Sequence, residues 1–79
     1  MTAPRITPRN LEVLAALIRM VDAAGGRAPK LEDLGKAMEM NISAVHGHLM
    51  RLRAAGYIYW IPGAQRSIRI IRRPETAEA

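Results

Sequence analysis

Apolar residues recur every three to four positions over the first third of the chain, and this spacing predicts an amphipathic helix over residues 8–24. Thr7 suits the N-cap position, and Pro8 suits the first helical position, where an N–H is not needed. Gly25 follows as a stop signal. The residues predicted to face the core are Leu11, Leu14, Ala15, Ile18 and Val21.

Two more helical patterns follow, over residues 31–38 and 42–55, and the second is capped by Asn41 and closed by Gly56. The predicted core-facing residues are Leu31, Leu34, Ala37 and Met38 on the earlier helix, and Val45, Leu49 and Leu52 on the later one. Only about three residues separate the two helices. Such a short connection makes them cross steeply, as in a helix-turn-helix.

The period changes after Gly56. Residues 57–61 are aromatic and β-branched, and residues 67–71 alternate between apolar and basic side chains. Residues 62–66 begin with Pro-Gly and read as a turn. This pattern predicts a β-hairpin, and the residues expected to face the helices are Ile58, Trp60, Ile68 and Ile70.

Three helices followed by a hairpin predict a mainly α fold with a small two-stranded wing, the winged helix-turn-helix. The domain is expected to span residues 6–73, with flexible termini at 1–5 and 74–79. A chain of 79 residues has room for one hydrophobic core, and the absence of cysteine excludes disulfides and thiolate metal sites. The apolar run at 13–18 is much shorter than the ~20 residues of a membrane span, and the first residues lack a signal core. We therefore expect a cytoplasmic protein with no membrane partner.

Positive charge is concentrated in the second half of the chain. The sequence has 12 basic and 7 acidic residues, a net charge of +5, and ten of the bases are arginine. Residues 40–74 contain six arginines and no acid. A solubilising surface usually mixes both signs, so this segregation favours a polyanionic partner, and nucleic acid in particular.

The helix over 42–55 has a small and polar side opposite its apolar stripe. The predicted DNA-binding residues on and beside this helix are Asn41, Ser43, Ala44, His46, Gly47 and Met50. A major groove ~12 Å wide admits one helix, so the side chains that enter it must be small or able to hydrogen-bond to bases. Gly47 costs about 1 kcal/mol relative to alanine within a helix. Close approach of the helix to DNA would explain a glycine at this position, and so would neutral sequence drift.

The predicted contacts to the DNA backbone are Arg51, Arg53, Arg66 and Arg69. Arg51 and Arg53 have an alternative explanation, because cations near a helix C-terminus are favourable in themselves. Arg69 alternates outward on its strand, toward either DNA or water. Arg72 and Arg73 are predicted to form only a basic tail.

Four stretches resemble the DNA-binding domain of the LexA SOS repressors: Ile6-Thr7-Pro8-Arg9, residues 44–49, Ala55-Gly56-Tyr57-Ile58 and residues 62–69. The resemblance extends over about residues 6–71 and implies a winged helix that reads operator DNA, contacts phosphates with its wing and represses transcription. It places base contacts at Asn41, Ser43, Ala44, His46 and Gly47.

The chain departs from that family in three respects. Members carry a second domain with a Ser/Lys self-cleaving site and a dimer interface, and because this sequence ends before such a domain, self-cleavage is not expected here. The turn between the second and third helices lacks the usual glycine and has Glu39 near that place. Ser67 stands where the wing often has glycine.

Other chemistries have little support in the sequence. His46 and His48 lie two apart and do not share a helix face, so no metal is expected, and His48 is predicted to be half-buried with a partner. No cofactor, small-molecule ligand or catalytic set is evident, which argues against an enzyme. The expected partner is double-stranded operator DNA, bound by a homodimer that forms in solution or only on DNA. The alternative is a winged-helix module that binds proteins, as an antirepressor or adaptor.

Overall fold

Three helices and a two-stranded hairpin follow one another along the chain. The computed structural model describes residues 6–63 and 67–73, and the predicted flexible termini and Arg66 lie outside them. The elements are α1 Pro8–Ala23, α2 Leu31–Met38, α3 Ile42–Ala54, β1 Ile58–Tyr59 and β2 Arg69–Ile70. This order confirms the predicted mainly α fold with a small β-hairpin. Within the described residues, no helix is long and apolar enough to cross a bilayer.

Local hydrogen bonds fix the starts of α1 and α3. The Thr7 backbone N–H donates to Asn10 Oδ1 at 2.8 Å, and the Asn10 N–H donates to Thr7 Oγ1 at 3.1 Å, which forms a reciprocal capping box. The Ala44 N–H donates to Asn41 Oδ1 at 2.8 Å. Lys30, which precedes α2, makes no such side-chain bond.

Each of the three helices is followed by a residue in the left-handed region, and after α1 the next residue, Gly26, also has a positive φ. The first such residues after α1, α2 and α3 are Gly25, Glu39 and Gly56, with φ of 70°, 58° and 86°. After α2, the Met40 N–H donates to the Gly35 carbonyl at 2.8 Å, the six-to-one bond of a Schellman motif. Glu39 thus holds a conformation that costs a non-glycine residue about 1–2 kcal/mol.

The core lies between α3, α1 and α2, and the hairpin packs against α3 at one end of this core. The inward stripe predicted for α3 is confirmed. The fully buried apolar side chains are Val13, Leu14, Ala16, Leu17, Leu34, Val45, Leu49, Leu52 and Ile58, together with Ala28 at 3% exposure in the α1–α2 connection.

Two details of the predicted core were wrong. Leu11 is 36% exposed, because packing against α3 selects the face of α1 that carries Val13 and Leu17. The apolar run in α1 offers two adjacent faces that could be buried, one with Leu11 and one with Val13 and Leu17. Periodicity alone favoured the face with Leu11. In α2, Ala37 is exposed and Gly35 is buried instead. A Cβ at Gly35 would lie 2.7 Å from the Met40 carbonyl oxygen, so this turn of α2 needs a glycine.

The hairpin pairs Ile58 with Ile70 and Tyr59 with Arg69, in shorter strands than predicted. Beyond them a side chain takes over the pairing: the Ile61 N–H donates to Ser67 Oγ at 2.9 Å, and the Ser67 hydroxyl donates to the Ile61 carbonyl. The predicted inward residues pack on the core as expected, and they are Ile58, Trp60, Ile68 and Ile70.

Arg72 and Arg73 are tied to the fold, which corrects the prediction of a basic tail. The Arg72 guanidinium lies 4.4 Å from the centre of the Tyr57 ring and donates to the Ala55 carbonyl at 3.4 Å. Arg73 forms an ion pair with Asp22 of α1 at 3.0 Å. A hydrogen bond and the charge of Arg73 hold the pKa of Asp22 below its ordinary value. These contacts were missed because they join residues far apart in sequence.

Candidate nucleic-acid interface

One side of α3 is turned away from the core and carries the small and polar residues. All six predicted DNA-binding residues are exposed there: Asn41, Ser43, Ala44, His46, Gly47 and Met50. The opposite side of the helix holds the fully buried Val45, Leu49 and Leu52. The core therefore fixes which side of α3 a partner meets, since the helix cannot rotate without exposing these three side chains.

Polar groups on this side are only partly used within the fold. Asn41 accepts one hydrogen bond at the start of α3 through its side-chain oxygen. Its amide nitrogen donates none to the described residues, so that group can still reach a base edge. Ser43 and His46, both exposed, add groups able to donate or accept hydrogen bonds.

Gly47 lies inside α3 with open space around it. An added Cβ would meet no atom within 4 Å. Neither its backbone conformation nor a close neighbour requires a glycine, in contrast to Gly35 of α2. The fold therefore supplies no reason for a residue that weakens its own helix.

The four arginines predicted to meet the DNA backbone fall into three groups. Arg51 on α3 and Arg69 on β2 are exposed, and neither has a hydrogen-bond or ion-pair partner among the described residues. Arg53 is half-buried, and its guanidinium carbon lies 4.7 Å from the centre of the Tyr59 ring and 4.8 Å from that of Trp60. Arg66 falls in the gap between the described ranges.

Trp60 occupies the junction between α3 and the hairpin. It is half-buried against the core, as predicted, and its ring centre lies 6.1 Å from that of His46, with the planes tilted by 60°. Tyr59, its neighbour, is 47% exposed. A cleft of about 500 Å³ runs beside Trp60, between the beginning of α2, the beginning of α3 and the hairpin.

His48 lies on the side of α3 that faces α1 and is half-buried. The Asn10 side-chain amide, only 1% exposed, donates to His48 Nδ1 at 2.6 Å. Because the amide nitrogen can only donate, Nδ1 of His48 is the accepting nitrogen in this hydrogen bond. His48 is thus half-buried with a partner, as predicted, and it ties α3 to the start of α1. In the ranges that the structure describes, no three His, Cys, Asp or Glu side chains come together as a metal site.

Sequence reasoning missed the contact between Arg53 and the two aromatic rings. The signal available was an arginine late in a helix, followed after a glycine turn by adjacent aromatic residues, Tyr59-Trp60. That pattern does not say which side of the hairpin meets the helix, so it predicts no contact on its own.

Comparison with known proteins agrees with this geometry. The family described as LexA DNA binding domain matches residues 3–67. The LexA repressor of Enterococcus faecalis is 38% identical over 69 residues, which cover 86% of this chain and 32% of that protein. The LexA repressor of Thermosipho africanus is 35% identical over 51 residues, 65% of this chain and 26% of its own length. The chain thus spans about a third or less of the length of these relatives. Since the family match extends over most of the chain, the protein belongs to the LexA DNA-binding domain family.

Proposed function

We propose that this domain binds specific double-stranded DNA sequences and acts in a transcriptional regulator, as a repressor. The observation that carries the proposal is the exposed small and polar side of α3, opposite a fully buried stripe and inside a segment free of acids. Membership of a DNA-binding domain family supports a regulator rather than an enzyme. It does not favour the alternative of a protein-interaction module.

In this proposal α3 enters the major groove and reads base edges. The residues that meet the bases are Asn41, Ser43, Ala44, His46, Gly47 and Met50. The amide, hydroxyl and imidazole groups among them can hydrogen-bond to bases, and the apolar side chains of Ala44 and Met50 can contact a thymine methyl. Each well-formed bidentate base contact is worth about 1–3 kcal/mol of discrimination.

Arginines beside α3 position the domain on the sugar-phosphate backbone. We assign this role to Arg51 at the end of α3 and to Arg69 on the wing, since both present a guanidinium without an internal partner in the described structure. Arg66 is proposed to contact phosphate on the basis of sequence alone. Phosphate contacts orient the protein without carrying sequence information, and each makes the decline of log K with log salt steeper by about 0.9.

Two copies are proposed to bind together on paired half-sites. A single small module has few base contacts, so binding to sites one helical turn apart, about 34 Å, would supply the affinity and specificity of a repressor. The two relatives carry the name repressor, and this role is extended here to the present chain as part of the proposal.

Selection of bound duplexes from a random pool is the direct test. Fluorescence anisotropy then compares the selected duplex with a scrambled one, and a specific binder prefers the former by about 10³-fold or more. The combined variant Ser43→Ala, His46→Ala and Arg66→Ala should lose that preference. Unchanged binding by this variant, or a pool that stays random, would overturn the proposed surface.

The backbone contacts have their own test with a matched control. Arg69→Gln should weaken binding to both duplexes alike and reduce the salt slope by about one unit. Arg19→Gln removes the same charge from an exposed position on α1, outside the acid-free segment, and should leave the slope unchanged. Equal effects of the two variants would mean that net charge, not position, governs binding.

A further inference from the structure

A row of cationic and aromatic side chains joins α3 to the wing. It runs from His46 to Trp60, with ring centres 6.1 Å apart, then to Arg53, whose guanidinium lies 4.8 Å from Trp60 and 4.7 Å from Tyr59. Two of these residues belong to α3 and two to the first side of the hairpin. The row therefore connects the proposed base-reading surface directly to the proposed backbone-contacting wing.

The described part of the wing is held by short strands and by the hydrogen bonds between Ile61 and Ser67. Its strands are two residues each, and an isolated hairpin of this size is marginally stable at best. Just beyond Trp60, Ile61 is 58% exposed, and the cleft separates this part of the hairpin from α2. Trp60 packs on the core together with Ile68 and Ile70, so a side chain that stacks on Trp60 helps to set the direction in which the wing leaves the core.

Arg53 is suited to holding the wing in a way that lysine would not be. A planar guanidinium stacks on aromatic rings, whereas an ammonium is a compact and strongly hydrated charge. Arg53 is also half-buried, while Arg51 and Arg69 are exposed. Its surroundings therefore differ from those of the two arginines assigned to phosphates.

We propose that Arg53 is a positioning residue that fixes the wing against α3 through Tyr59 and Trp60, and that Trp60 in turn sets the orientation of His46. This inference rests on the proposed function. It assigns Arg53 to sequence discrimination, through the groups it holds in place, and not to a phosphate contact.

The test compares arginine with lysine at two positions of the same helix. Arg53→Lys keeps the charge and loses the stack, so affinity for the selected duplex should fall about tenfold, affinity for scrambled DNA should stay the same, and the salt slope should not change. Arg53→Met should show the same pattern. At the control position, Arg51→Lys should bind as the wild type does, and Arg51→Met should weaken both duplexes and lower the salt slope by about one.

Fluorescence of the free protein provides a readout that needs no DNA. Trp60 is the only tryptophan in the chain, so its emission reports on the row directly. Arg53→Lys and His46→Gln should each change that emission, while Arg51→Lys should not. A merely stabilising role of Arg53 would shift the melting temperature without changing discrimination, so binding is measured well below the melting transition of each variant.

The failures of the two proposals differ. If the wild type binds no duplex, the proposed function fails, and this inference fails with it. If the wild type discriminates and Arg53→Lys discriminates equally well, the inference alone is overturned. A drop of about one in the salt slope of Arg53→Met would likewise overturn it and make Arg53 a phosphate contact.

Discussion

Replacement of Gly47 by alanine separates what α3 needs in order to fold from what it needs in order to bind. The residue is exposed in the middle of the helix, and a Cβ there would meet nothing within 4 Å. Alanine is favoured over glycine in a helix interior by about 1 kcal/mol. In a domain of this size, 1 kcal/mol shifts the melting temperature by about 4–8 °C. The variant should therefore melt several degrees above the wild type.

The same change at Gly35 provides the matched control. The gain in helix propensity is nominally equal, but the new Cβ would lie 2.7 Å from the Met40 carbonyl oxygen and 3.4 Å from Val45 Cγ2. Overpacking of this kind costs about 1–3 kcal/mol, and here the obstacle is backbone in the turn before α3. Gly35→Ala should therefore melt below the wild type, and opposite shifts of the two variants would show that the two glycines are present for different reasons.

Thermal unfolding followed by circular dichroism and anisotropy on the selected duplex complete the experiment. If Gly47 lies against DNA, the added methyl should raise Kd about tenfold, or about 1.4 kcal/mol, in a protein that is more stable than the wild type. Unfolding cannot explain such a result. Wild-type affinity in Gly47→Ala would refute the contact and leave drift as the explanation, and a lower melting temperature would refute the reasoning about the helix.

Three further predictions concern the fold. Asn10→Ala breaks the capping box and leaves the His48 imidazole without its donor, so urea denaturation should show a loss of about 1–3 kcal/mol, and an unchanged midpoint would contradict this. Glu39→Gly removes the strain of a left-handed non-glycine residue, and the greater entropy of glycine in the unfolded chain offsets about 0.4–1 kcal/mol of this gain. The melting temperature of Glu39→Gly should therefore rise, while that of Glu39→Gln should stay nearly constant. Arg73 lowers the pKa of Asp22, so the ion pair stabilises the fold above the ordinary value of 3.8 and loses this effect as the pH falls below it. Melting curves of Asp22→Asn and wild type should thus differ near neutral pH and converge in acid, whereas a constant difference would exclude the ion pair as its cause.

The helices could be predicted closely from the sequence because their ends depend on local chemistry. The predicted bounds of α2 match the structure, and α1 and α3 each end one residue earlier than predicted, at Ala23 and Ala54. Thr7 and Asn41 cap their helices through bonds to residues three positions away. Interactions over such short separations are present in the sequence itself, so a pattern can identify them.

The remaining features depend on which surfaces meet in three dimensions. Asparagine is a residue type mostly found on protein surfaces, yet Asn10 is only 1% exposed because Thr7 and His48 satisfy both ends of its amide. The partners of Arg53 and Arg73 lie on other elements, and the second pair is 51 positions apart in the chain. Neither periodicity nor charge counting can choose among such partners, since many arrangements satisfy the same pattern.

Among the described residues, Gly47 and Glu39 depart from local preference, and both lie in or next to the helix-turn-helix. Gly47 weakens α3 by about 1 kcal/mol, and Glu39 holds a left-handed conformation before it at a cost of about 1–2 kcal/mol. A domain of 79 residues has a total stability of about 4–12 kcal/mol, so the two together are a substantial fraction of it. Departures from local rules are expected at functional sites, where binding compensates for the lost stability. Glu39 is explained within the fold, because the Schellman motif needs a left-handed residue there. Gly47 has no such internal explanation, and so it is the position at which a bound duplex would account for what the fold alone does not.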